Sequence, residues 1–315
     1  MRSRRATSRL GALGAASPAE VLAATVRRGG DLSSLERGLR TAAAVATVPD
    51  GWHWPRWLDR QLRPNHPAFV APGDGGVVEN VTGRDWRLVG TVSSGPLASV
   101  DPRGAVVPVG SAWSIDWAVG AEDRWHRPAR EAAVRQRLLR DAPVVETACR
   151  APGGDVVQRV FGATLGGDLG DVVVIEVENL TAVPVAVAIA VRPADLHGAG
   201  SISTISLVEN LVLVDGRPAL LFERKPARRA AGDARTDALG TVVAGEASDA
   251  PIETRRDPLG LANAAFVVPV THRTSVRVVL LAGADRRLRP ALTGPVPSAD
   301  ALCRGWVSHA ARGAS

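Results

Sequence analysis

The chain has 315 residues, enough for about two average domains or one large β domain, and a chain of this size buries its core without disulfide or metal staples. Its hydrophobic share of 45% is mostly Val, Ala and Leu, with eight Trp, four Phe, one Met and no Tyr, so small branched side chains and a few large anchors must build the core. The formal charge is +6, and no GxSxG elbow, HExxH, phosphate-cradling glycine loop or dinucleotide fingerprint occurs, which excludes several common enzyme classes.

The basic character is N-terminal: residues 1 to 60 hold 10 arginines against five carboxylates. Lys225 is the only lysine, so the arginine abundance reads as a coding bias rather than as selection for guanidinium chemistry. An arm of this charge suits nucleic acid or an anionic membrane, but it lacks aromatic interleaving and any nucleic-acid motif, which favours a solvated leader. Cys149 and Cys303 form no ligand spacing, so free thiols in a reducing cytoplasm are expected, with no metal and no cofactor. The longest apolar run, Val183 to Val191, is strand-sized, so no membrane contact is expected.

In chain order, Ser17-Pro18-Ala19-Glu20 predicts a helix start, with Ser17 as cap and Gly29-Gly30 as the stop. A second helix is predicted from Ser34 to Ala46, and a short third one from Pro55 carries Trp57, Leu58 and Gln61. Trp52, Trp54 and Trp57 are read in two ways: as platforms for a sugar or base, or, the favoured reading, as pins holding this helical leader onto a sheet.

From Val77 the texture changes to strands and turns. Asp101-Pro102-Arg103-Gly104 and Asp257-Pro258-Leu259-Gly260 share one turn pattern, in which Pro fixes φ at the second position and Gly ends the turn. Four hairpins are predicted: Val144 to Arg150 with Val156 to Phe161, Val172 to Glu178 with Val185 to Val191, Leu211 to Val214 with Ala219 to Phe222, and Ala265 to Val270 with Val276 to Leu281. Hairpins without intervening helices predict a mainly β, antiparallel sandwich. Pro193 to Ser201 and the polar stretch Arg224 to Arg256 are expected as loops, and Ser298 to Ala311 as the start of a helix. The expected organisation is a basic helical leader at 1–76, an antiparallel β-sandwich at 77–290, and a linker with the start of a helix at 291–315.

The most informative stretch runs from Asp101 to His126. Trp113, Ile115, Trp117 and Val119 fall on one face of an extended strand, and Ser114, Asp116 and Ala118 on the other. Glu122, Asp123, Trp125 and His126 follow in and after a turn. Such a mixture suits a sugar-contacting surface, and equally a packed sandwich with a polar loop. Together with Trp86 to Gly95, APVVETACRAPGGD and VIEVENLTAVPVAVAIAVRP, this stretch resembles the N-terminal region of actinobacterial proteins related to glucoamylases and glycogen-debranching, six-hairpin glycosidases. The resemblance spans residues 77 to 281 as many short matches. It implies a β-supersandwich like that of galactose mutarotase, ahead of an (α/α)6 toroid that carries the catalytic carboxylates. Ala118, and Asp195-Leu196-His197 after Arg192-Pro193, depart from the pattern of those relatives.

Asp116, Asp123 and His126 are the catalytic candidates, since glycoside hydrolysis needs paired carboxylates and these acids are the ones grouped with aromatics. Turn roles compete for Glu122 and Asp123, and a buried, hydrogen-bonded role competes for Asp116. A mutarotase-like pairing would draw on His126, His197 or His272 with Glu176 or Glu178, although nothing in their spacing links them. Trp113, Trp117, Trp125, Asp195 and His197 are the carbohydrate-contact candidates. The expected function is a non-catalytic accessory sandwich of a glycosidase-like, carbohydrate-active protein that lacks its catalytic (α/α)6 domain, with carbohydrate and a helical catalytic domain or partner chain as partners. The alternatives are a stand-alone carbohydrate-binding module, and a carbohydrate isomerase or hydrolase with its site near Asp116 and His126.

Overall fold

The computed structural model describes residues 32–49, 51–61, 85–281 and 290–313. The helix predicted from Ser17 lies outside them. The second and third predicted helices are present as α1 (Leu32–Thr47) and α2 (Arg56–Gln61).

The body is mainly β and consists of two antiparallel sheets packed face to face. Its strands are β1 (Arg87–Thr91), β2 (Gly95–Val100), β3 (Val106–Pro108), β4 (Ser114–Gly120), β5 (Trp125–His126), β6 (Val134–Leu138), β7 (Val144–Ala151), β8 (Gly154–Leu165) and β9 (Gly170–Asn179). They continue with β10 (Val185–Arg192), β11 (Thr204–Val208), β12 (Leu211–Val214), β13 (Arg217–Phe222), β14 (Arg228–Gly232), β15 (Arg255–Arg256), β16 (Asn263–Val270) and β17 (Ser275–Leu280). Among the described residues, the first sheet has eight strands in the order β1-β2-β3-β4-β10-β16-β14, with β5 beside β4, and the second has nine in the order β15-β11-β12-β13-β17-β9-β8-β7-β6.

The core lies between the sheets because each strand turns every second side chain inward. Ile115, Trp117 and Val119 of β4 and Val187, Ile189 and Val191 of β10 face Val160, Ile175, Val177, Val278 and Leu280 of the other sheet. Phe222 and Phe266 meet edge-on across the interior, with centroids 5.4 Å apart. At one end the backbones touch: a Cβ on Gly162 of β8 would stand 2.0 Å from the Gly90 carbonyl oxygen of β1. Only glycine fits that crossing.

Two of the predicted hairpins are hairpins, β7 with β8 and β12 with β13. The other two are not. β9 pairs with β8 and β17, whereas β10 pairs with β4 and β16 in the opposite sheet, and β16 and β17 are divided in the same way. The links at 180–184 and 271–274 therefore arch between the sheets. They lean on each other, Asn179 N donating to Thr274 O at 3.1 Å and Arg273 N to Asn179 O at 2.8 Å.

Both Asp-Pro-x-Gly stretches form the expected turns, closed by Gly104 N to Asp101 O at 3.0 Å and Gly260 N to Asp257 O at 3.1 Å. The stretch from Arg224 to Arg256 is more ordered than its composition suggests. It contains β14, paired with β16, and helix α3 (Ala238–Val243), capped by Asp237, whose carboxylate accepts from Leu239 N at 3.1 Å. The C-terminal helix α4 (Ala299–Gly313) sets Ala299 and Cys303 over Val144, Phe161 and Val174 on the outer face of the nine-stranded sheet. The same sheet carries a row of ion pairs: Glu146 to Arg159 at 2.9 Å, Arg159 to Glu178 at 2.5 Å, and Arg277 to Glu176 at 2.7 Å.

Candidate functional site: a roofed acid, arginine and histidine cluster

The outer face of the eight-stranded sheet is lined by small side chains, Ala118 of β4, Ala188 and Ala190 of β10, and Ala265 of β16. Their size lets α3 lie close to the sheet, with Ala238, Leu239 and Val242 against them. The register places Asp116 opposite Ala190 and Ser114 opposite Arg192, so Asp116 and Arg192 are diagonal neighbours on this face.

Asp237, at the start of α3, completes the group. Its Oδ2 accepts from the backbone N–H of His53 at 2.8 Å, contacts His53 Nδ1 and lies 3.7 Å from Arg192 Nη2. Arg192 Nη1 lies 3.9 Å from Asp116 Oδ2. One arginine thus stands between two carboxylates, and one carboxylate joins sheet, helix and leader. Side-chain exposure is 4% for Arg192, 9% for Asp237, 11% for Asp116 and 12% for His53, so the cluster is nearly closed to solvent.

Burial dominates its electrostatics. It pushes the Asp116 carboxyl above its ordinary range, Arg192 pulls it back, and nearby Asp237 pushes it further up. Burial raises Asp237 too, against Arg192 and the N–H groups at the start of α3. Beside them, burial and the positive charges of Arg130 and Arg192 bring Arg127 down to about 10, and its Nη1 is buried without a hydrogen-bond partner among the described residues. Arg130 lies 3.6 Å from Asp59 of α2.

The roof is the leader. Trp52, Trp54, Trp57 and Leu58 are buried with Ala44, Ala199, Ala234 and Leu261, and Thr41 Oγ1 accepts from Ala199 N at 3.0 Å. The three tryptophans are buried pins, as favoured above, but the body residues they pack with, Ala199, Ala234 and Leu261, lie in loops and not on a sheet, and the tryptophan rings are not available for stacking. Each such ring removes about 150–250 Å² from water. Arrangements of carboxylate, histidine and arginine do acid–base work when a substrate reaches them. Here they close an interface within the chain.

The residues singled out from sequence divide clearly. Asp116 belongs to the cluster, whereas His126 pairs with Val119 of β4 and so faces the opposite side of the sheet from Asp116. His126 Nε2 meets Asp123 Oδ1 at 2.9 Å, and its other ring nitrogen lies 3.7 Å from Glu131, which Arg124 holds at 2.5 Å. That hydrogen bond keeps the Asp123 carboxyl below its ordinary range, and the group closes the turn between β4 and β5. Trp117, 0% exposed, is a core residue whose Nε1 donates to Arg103 O at 3.0 Å, which rules out stacking on a sugar. Trp113 and Trp125 are partly buried, Trp113 against the core and Trp125 beside Gly120. Asp195 accepts from His197 N at 2.7 Å and Gly198 N at 3.0 Å, an internal loop role, and His197 is exposed. Glu176 and Glu178 lie in the ion-pair row of the other sheet, and His272 Nδ1 contacts Thr181 O, so no histidine–glutamate pair forms there.

Sequence reasoning missed His53, Arg127, Arg192 and Asp237. Asp237 carried a signal, an aspartate just before the apolar Ala-Leu of a helix. Arg192, a charge at the end of an apolar strand, carried a weaker one. Among the described residues no three potential metal ligands gather, and no helix is long and apolar enough to cross a membrane.

Fold and cluster define the class of this chain as a mainly β, two-sheet antiparallel sandwich roofed by its own leader. No family model matches the chain, and no curated protein matches it.

Proposed function

We propose that this chain is a non-catalytic accessory sandwich of a glycosidase-like, carbohydrate-active protein. The observation that carries this reading is the burial of its most reactive-looking cluster: Asp116, Arg192, Asp237 and His53 lie against one another nearly out of solvent, with Arg192 Nη1 in ion-pair range of Asp116 but without a hydrogen-bond partner among the described residues. Among the described residues the side chains of this cluster are nearly closed to solvent, which argues against substrate access, and fold alone carries no activity. The outward parts of the chain suit packing against a neighbour instead, with Val307 exposed on α4 next to Trp306, which packs against the sheet.

The test combines turnover and tryptophan emission of the purified full chain with a panel of neutral α- and β-linked oligosaccharides. No turnover and no emission change are expected. Turnover that Asp116→Asn abolishes would overturn the reading in favour of an enzyme, and a saturable emission shift would overturn it in favour of a stand-alone carbohydrate-binding module.

A further inference from the structure

At the end of the sandwich marked by the Asp101 turn, an open groove of about 500 Å³ is lined by Asp85, Trp86, Arg87, Pro102, Arg103 and Gln136, with Val134 beside them. That size suits a small molecule. Trp86 also packs on the leader cluster, so its ring is held in place. Arg103 Nη1 donates to the Glu131 carbonyl at 2.7 Å, and no ion pair engages Arg87 or Arg103 among the described residues. Burial, and after it the nearby charge of Arg60, lowers the Arg103 pKa, while Asp101 pulls it back up.

A polar row leads inward from this groove. Gln136 pairs with Thr147 across β6 and β7, and Thr147 with Gln158 across β7 and β8, so the three share the inner face. Gln136 Nε2 donates to Asp101 O at 2.6 Å and to Thr147 Oγ1 at 3.1 Å. Gln158, 0% exposed, has neither amide atom hydrogen-bonded, and it lies against Gly104 in the turn whose Pro102 and Arg103 form the groove wall. Three polar residues in a row are unusual in an otherwise apolar interior, and packing does not call for them.

We propose that this groove binds a hexose carrying an anionic substituent, either a uronate or a sugar phosphate. The Trp86 ring offers an apolar face to the pyranose, Arg87 and Arg103 offer donors matched to a carboxylate or phosphate, and Asp85 and Gln136 offer partners to hydroxyls. The inference goes beyond the accessory reading and does not depend on it, since turnover and neutral-glycan binding decide that reading and neither decides this one.

The test is calorimetric titration of the full chain with D-glucuronate, glucose 6-phosphate, glucose and inorganic phosphate. At least one anionic hexose is expected to bind, with glucose and inorganic phosphate each about tenfold weaker or more, and the better anionic hexose identifies the substituent. Arg87→Ala, at an exposed position, should weaken that binding about tenfold with the unfolding temperature unchanged, the loss fitting one charge-assisted hydrogen bond. Gln136→Leu should weaken it as well. The proposal is overturned if neither anionic hexose binds at millimolar concentration, if glucose or inorganic phosphate binds as tightly, or if Arg87→Ala leaves the affinity unchanged.

Discussion

Arg192 stands between two buried carboxylates, and its removal would take away the largest positive influence on both, leaving Arg130 near Asp116, and His53 and Arg127 near Asp237. Breaking a buried ion pair from one side costs about 3–5 kcal/mol, because the orphaned charge stays desolvated. Arg192→Met should therefore lower stability by at most about that amount in urea unfolding, since other cations remain nearby, and the double variant with Asp116→Asn should recover part of the loss; equal stability of the single variant and the parent would show the cluster to be energetically idle. The carboxyls also set a pH dependence. Burial brings Asp101 from 3.8 up to about 7, although its side chain accepts from Arg103 N and Ala105 N at 2.8 Å each. Between about pH 4 and 7 the folded chain keeps a proton that the unfolded chain has released, so stability falls as pH rises through this window and levels off above it. For Asp101 the fall is at most roughly 4 kcal/mol, and Asp116 and Asp237, also raised, act in the same direction. Asp101→Asn keeps the acceptor oxygen and loses the titration. Its urea midpoint should change less between pH 5 and pH 8 than that of the parent.

At the level of elements, β1 depends on a contact without side chains. Gly162→Ala would force a methyl group into the Gly90 carbonyl of β1, an overpacking that costs about 1–3 kcal/mol. Hydrogen exchange should quicken in Arg87–Thr91 and stay slow in β9 and β17; uniform protection across all three would show that the crossing tolerates a side chain. Strand positions were legible in the sequence because alternation with period two belongs to each segment alone. Pairing partners were only half legible. A short link between two apolar strands looks the same whether it turns within a sheet or arches across the core, and β9–β10 and β16–β17 took the second course because both strands of each pair bury side chains on both faces. Asp116 stood out as an acid within a strand, but its setting did not, since Arg192, Asp237 and His53 reach it from three separate segments.

Across the whole molecule, each sheet closes its outer face differently. The eight-stranded sheet is covered by α3 and the leader, and the nine-stranded sheet by α4 and the row through Glu146, Arg159 and Glu176. The leader cover has a consequence in time. His53 and Asp237 lie 184 residues apart, so the seat for the leader does not exist until Asp237 has been made. At synthesis speeds of about 5–20 residues per second, that interval lasts roughly 10–40 s. Throughout it, the three tryptophans lack part of the surface that buries them. The first described part of this chain to leave the ribosome is thus among the last to find its place.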